Sequence, residues 1–208
     1  RLDGHEAAVL GSIYALTAIG LSIVYGILRL INFAHGDVFM VGAYAALFLL
    51  IVAGGNFWVA LIAAALGAAL LGILIERAAY RPIRQAPEVA ALITSLAVSI
   101  LLENAAIMIF TAHPRTFIVP AWLTDLHTVG GLLFNTLAVI TVATAAVLMV
   151  GIHLFVTRAK SGIAMQACAQ NLVVTEMMGV DTGRIIMLAF AVGSALAFGA
   201  LAWPHEGG

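Results

Sequence analysis

Apolar residues run along this chain in blocks longer than a water-soluble core helix needs, separated by short polar stretches. Six blocks stand out, at about 7–28, 38–54, 57–75, 89–110, 132–156 and 185–203. Most reach the roughly 20 residues that a helix needs to cross the hydrocarbon core of a bilayer. The runs are continuous, which predicts helices and excludes the alternating segments of a membrane β-barrel. The expected fold is therefore all-α: a polytopic membrane helix bundle of about six spans, forming one transmembrane domain over residues 1–208. In the third block Ala60, Ala64, Ala68 and Gly72 recur every fourth residue. Such a small-residue stripe lets a second helix approach closely.

Composition supports the same solvent. Of 208 residues, 63% are hydrophobic and 9% charged, with a mean hydropathy of +1.13. A soluble domain carries about 25% charged residues, so this chain cannot cover a water-facing surface. The net charge of −1 leaves no basic footprint for nucleic acid. A single cysteine, Cys168, excludes an intramolecular disulfide and argues against a cysteine-based metal site. No Gly-x-Ser-x-Gly elbow, phosphate-binding loop or His-Glu-x-x-His pattern is present, so no enzyme activity and no cofactor are expected. Asp3 and Glu6 flank the first block where a signal peptide would carry basic residues. The chain lacks an initiator Met and stops just after an apolar block, as a fragment would.

The polar interruptions set an orientation. Seven of the nine basic residues (Arg29, Arg77, Arg81, Arg84, Arg158, Lys160 and Arg184) fall on one side of a six-span path, and Arg1 and Arg115 on the other. The positive-inside rule makes the first side cytoplasmic and the N-terminus extracytoplasmic.

Three regions are unusual for helices dissolved in lipid. The first is Asn32-Phe33-Ala34-His35-Gly36-Asp37, a polar break between two apolar blocks. Broken helices in transporters expose backbone groups that bind substrate, which makes Asn32, His35, Gly36 and Asp37 pathway candidates. An ordinary turn with Asp37 as helix N-cap explains the same residues. The second is Glu103-Asn104 inside the fourth block. An ionisable residue at such depth is a functional hypothesis by default. Glu103 could meet the ammonium of an incoming amino acid, or serve as a helix-packing hydrogen bond. The third is the stretch over 158–184, where 164–170 is a good helix former and Met177-Met178-Gly179-Val180 supplies an apolar patch closed by glycine. It suits docking into a partner's groove or lying on lipid.

Several stretches, in order, resemble the permeases of bacterial branched-chain amino acid ABC importers, the Liv-type H subunits. They are 31–37 followed by Gly42-Ala43-Tyr44, the run Glu76-Arg77-Ala78-Ala79-Tyr80-Arg81-Pro82, Ile93-Thr94-Ser95, and Met178-Gly179-Val180-Asp181-Thr182 with Arg184. The resemblance covers about residues 8–203. It implies a non-catalytic inner-membrane permease subunit that pairs with a second permease. Cytoplasmic ATPase subunits would drive it, and an extracytoplasmic substrate-binding protein would supply it. It also implies that the ATPase engages 158–184, with Gly162, Ala167, Glu176, Gly179 and Asp181 as coupling candidates. Gln166, Glu176 and Glu103 depart from the family pattern, and family members extend through further spans. Related permeases carry urea or short amides. A rival from another class is an ATP-independent channel or secondary transporter, for which Glu103 is the sole intramembrane relay candidate.

Overall fold

A computed structural model describes residues 4–29, 32–52, 57–84, 86–110, 126–129 and 132–199. Six long helices carry the architecture: α1 Gly4–Leu28, α2 His35–Val52, α3 Phe57–Ile75, α4 Glu88–Phe110, α5 Thr136–Arg158 and α8 Thr182–Gly199. Between the last two lie the short helices α6 Lys160–Gln170 and α7 Leu172–Met177. The six long helices coincide with the six expected spans to within a few residues. Among the described residues, four stretches are long and apolar enough to cross a membrane: Val9–Leu28, Ile62–Ile83, Val89–Phe110 and Val139–Arg158. Arg1 and Arg115, the two basic residues expected outside, and the end of the sixth block from 200 onward lie outside the described residues.

Three features depart from the sequence reading. A hairpin of β1 (Leu126–Val129) and β2 (Leu132–Asn135), in antiparallel register from Leu126↔Asn135 to Val129↔Leu132, takes the first residues of the fifth expected span. That span begins instead at Thr136. The expected loop at 76–88 is largely helical. α3 continues through a π turn at Glu76–Tyr80 and a 3-10 turn at Arg81–Ile83, and only then breaks before Pro87. Helix α2 starts at His35, two residues before the anticipated cap at Asp37.

The last long helix sits in the middle. α8 packs against α1, α2 and α3, while α4 lies at the side of the bundle against α2 and the π turn. Close approach to α8 depends on missing side chains. A Cβ on Gly20 would lie 2.8 Å from the Gly193 carbonyl oxygen, and one on Gly193 would lie 2.9 Å from that of Gly20. On α3, a Cβ at Gly72 would sit 2.8 Å from the Phe190 carbonyl and on top of the Ser194 hydroxyl. Ala64 and Ala68 are buried on the same stripe, so from Ala64 to Gly72 the spacing every fourth residue marks a packing seam; the side chain of Ala60 lies outside the described ones. Outward, Leu66, Leu70, Leu74, Ile93, Leu101, Ile107 and Met108 are exposed. That surface suits hydrocarbon and not water.

Candidate functional site

The polar break between α1 and α2 folds into the bundle at the end shared by the π turn and the starts of α4 and α8. Asn32 and His35 are buried, Asp37 is half-buried and Gly36 faces outward. Burial among apolar helices removes water, so each polar group needs a protein partner. The Tyr80 hydroxyl donates to Asn32 Oδ1 at 2.8 Å in a fully buried contact. Ser95, itself buried, donates to Leu92 O of its own helix at 2.9 Å. The Asp37 carboxylate accepts from the Ser99 hydroxyl of α4. Asp37 therefore ties α2 to α4 and does not cap its own helix. His35 lies against Gly20, where a Cβ would come within 3.2 Å of the imidazole. Its Nε2 is buried with no partner among the described residues.

A charge pair lies one layer further along. Glu76, 2% exposed, pairs with the Arg84 guanidinium. The π turn places Glu76 and Tyr80 on its buried side and Arg77 in the open, and Arg81 is exposed at the start of the 3-10 turn that follows. Single π turns inside helices often occur at functional sites. Arg84 reaches the opposite way too, since a Cβ on Gly183 would lie 3.5 Å from Arg84 Nη1. The Glu76–Arg84 pair thus lies beside the start of α8, and the π turn that carries Glu76 also carries Tyr80, which bonds Asn32 of the 32–37 break.

The segment before α8 is built to hold a shape. Helix α6 turns back on α5 because Gly162 has no side chain; a Cβ there would fall on the Phe155 carbonyl and 2.6 Å from Val156 Cα. Asn171 ends α6 and caps α7, its Oδ1 accepting from Val174 N at 3.1 Å. Ala167 is half-buried and its carbonyl accepts from Asn171 N at 3.0 Å. Helix α7 closes in a Schellman turn: Gly179 N–H bonds Glu176 O at 2.9 Å and Val180 N–H bonds Thr175 O at 3.3 Å. Gly179 has φ +85°, which any other residue would adopt at a cost. Asp181 then caps α8 through Arg184 N at 3.1 Å and pairs with the Arg184 side chain at 2.9 Å. Glu176 is exposed, as are Val173, Val174, Met177 and Met178. Cys168 is buried on the inner side of α6, and that burial pushes its thiol pKa up.

The structure brings Asn32, His35 and Asp37 together with partners that the sequence reading left without a role: Glu76, Tyr80, Arg84 and Ser99. A serine pair four residues apart in an apolar run, Ser95 and Ser99, was the available signal. Glu103 and Asn104 stand apart from this cluster. Both are exposed on α4, and the Asn104 amide donates to Ile100 O of its own helix at 2.7 Å. No group of three or more His, Cys, Asp or Glu suited to a metal ion occurs among the described residues.

Comparison with known proteins adds a second line to the geometry. Residues 5–202 match the family described as branched-chain amino acid transport system / permease component. The chain belongs to that family. It is 34% identical over 198 residues to the high-affinity branched-chain amino acid transport system permease protein BraD of Pseudomonas aeruginosa, covering 90% of this chain and 64% of BraD. It is 35% identical over 206 residues to the corresponding protein LivH of Salmonella typhimurium, covering 92% and 66%. A more distant relative is the probable branched-chain amino acid transport permease protein LivH of Methanocaldococcus jannaschii, 27% identical over 201 residues, covering 92% and 62%. The chain thus spans 62–66% of the length of these relatives. No solved structure matches it.

Proposed function

We propose that this chain is the greater part of a permease subunit that carries branched-chain or related amino acids across a bacterial inner membrane. It would do so without catalytic activity of its own. The observation that carries the reading is family membership over residues 5–202. The cluster at the 32–37 break supplies a structural reason. A buried polar knot at the end of an apolar bundle is a discrete arrangement that can be made or released as a unit. In this reading cytoplasmic ATPase subunits engage α6 and α7 through Gly162, Ala167, Glu176, Gly179 and Asp181. Movement there passes along α8 and through Arg84 to the π turn. Asn32, His35 and Asp37 then act as a gate on the cytoplasmic side, and Glu103 and Asn104 are lining candidates for the pathway formed with a second permease subunit. A substrate-binding protein would deliver the amino acid on the opposite face, where the N-terminus lies.

Co-purification tests this. The permease is tagged and expressed with its genomic neighbours, and detergent extracts are probed for a bound ATPase. Retention by the intact chain and release on deleting residues 162–180 is the expected result. Absence of any ATPase from the intact permease would refute the importer reading and favour an ATP-independent transporter.

A further inference from the structure

Two features meet at Arg29 that neither the gate nor the π turn uses. Arg29 follows the last residue of α1 with φ +56°, and it is the one non-glycine with positive φ among the described residues. In this left-handed region a Cβ crowds the following carbonyl, which is why helices that end this way usually end in glycine. The Arg29 N–H still closes the last turn of α1 on Tyr25 O at 2.8 Å. The strain therefore lies where the chain leaves the helix, three residues before Asn32. Such strain persists only where surrounding structure holds it.

The side chain supplies a reason. Arg29 Nη2 donates to Ala169 O of α6 at 3.4 Å, across 140 residues of chain. Ala169 stands in the last turn of α6, where carbonyls lack a partner within the helix and the helix dipole is negative. A guanidinium answers both conditions, and its charge keeps a long bond attractive. Apolar packing brings the two helix ends together, since Ile27 and Leu28 of α1 share one buried cluster with Met165, Cys168 and Ala169 of α6. Glycine would relax the backbone and lose the bond; arginine makes the bond on a strained backbone.

We propose that Arg29 is a positioning residue that ties the end of α6 to the entry of the 32–37 break, so that movement of α6 reaches the gate directly. This link rests on the importer reading above, in which an ATPase engages α6 and α7. One end of Arg29 holds the α6 carbonyl, and the other is backbone three residues from Asn32, which receives the Tyr80 hydroxyl. A pull on the guanidinium acts on a backbone that gains by leaving its present φ, so this turn moves more easily than a relaxed one would.

The test uses the intact permease, co-expressed with its genomic neighbours, purified with the bound ATPase and reconstituted into vesicles with the binding protein. Uptake per ATP hydrolysed is read beside the melting midpoint in detergent. Arg29→Gln keeps the strained backbone and loses the charge, whereas Arg29→Gly loses both. Each should retain the ATPase and lower uptake per ATP roughly 2–12-fold, the worth of one hydrogen bond. Arg29→Lys keeps a cationic donor and should restore most of the uptake. Stability should separate the first two: the glycine variant should be severalfold more stable than the glutamine variant, because relief of strain outweighs glycine's freedom when unfolded. A merely structural role predicts uptake that follows stability. Normal uptake per ATP in the glycine variant, with loss only in the glutamine variant, would therefore overturn the proposal. Normal uptake in both would overturn it too, as would a lysine variant no better than the glutamine one. An ATPase missing from the wild-type preparation would instead sink the importer reading, and this link with it.

Discussion

Tyr80→Phe removes one oxygen atom and isolates the buried hydrogen bond at the centre of the candidate gate. The Tyr80 ring packs on Phe190 with centroids 5.1 Å apart, and the phenyl ring of the variant keeps that contact. What is lost is the donor to Asn32 Oδ1. Asn32 is 6% exposed and Tyr80 2%, so water does not replace the missing group without opening the turn. Leaving a buried acceptor unsatisfied costs about 1–3 kcal/mol. Interhelical hydrogen bonds in membrane proteins average only about 0.6 kcal/mol by double-mutant cycle, with a maximum of about 1.7. The single variant should therefore lose about 1–3 kcal/mol of stability, and a cycle with Asn32→Ala should return a coupling of about 0.6–1.7 kcal/mol. For a chain of this size, each kcal/mol moves the midpoint by roughly 2–4 °C, measurable by circular dichroism in detergent. In the importer proposed above the same loss should favour the released arrangement of the turn roughly 5–150-fold. ATP hydrolysis would then continue with less uptake per turnover. A Tyr80→Phe protein with unchanged melting, zero coupling to Asn32 and normal uptake would refute the view that this bond holds the turn.

Three further outcomes follow from the packing. Arg84→Leu should destabilise more than Glu76→Leu, because it strands a carboxylate at 2% exposure whereas Arg84 is 24% exposed and can reach water. Breaking such a pair costs about 3–5 kcal/mol and the double variant should recover part of it; equal losses in detergent melting would contradict the asymmetry. Gly162→Val should push α6 away from α5 at a cost of about 1–3 kcal/mol, seen as faster proteolysis near 158–171, and an unchanged digestion pattern would count against the close approach. Cys168 should resist maleimide near neutral pH until the protein is denatured. Burial raises its pKa and leaves little thiolate, so its reactivity should climb only as the pH rises. Rapid labelling of the folded chain would show that the inner side of α6 is open.

The six long helices were legible because lipid demands long uninterrupted apolar runs, and run length is a one-dimensional signal. Their neighbours were not. The stripe at Ala64, Ala68 and Gly72 marked a seam but could not say that α8 fills it. The break at 32–37 was legible as polar residues out of place, yet its partners Tyr80 and Ser99 lie 48 and 62 residues from the groups they bind. At Glu103 and Asn104 the sequence revealed depth along a helix without revealing facing, and both turn outward. The hairpin was hidden because Leu132-Leu133-Phe134 continues the apolar run that follows it. Gly130-Gly131, a two-residue hairpin signal, was the clue.

The central place of α8 has a consequence for how the molecule is made. Residues leave the ribosome in order, so α1, α2 and α3 reach the membrane well before the helix that fills the space between them. Until Gly193 and Ser194 arrive, Gly20 and Gly72 face a vacancy, and Arg84 lacks the start of α8 beside it. The early spans must therefore wait in the bilayer as an incomplete set, shielded by lipid or by the insertion machinery. Final closure of the bundle is a late event, governed by the last long helix described.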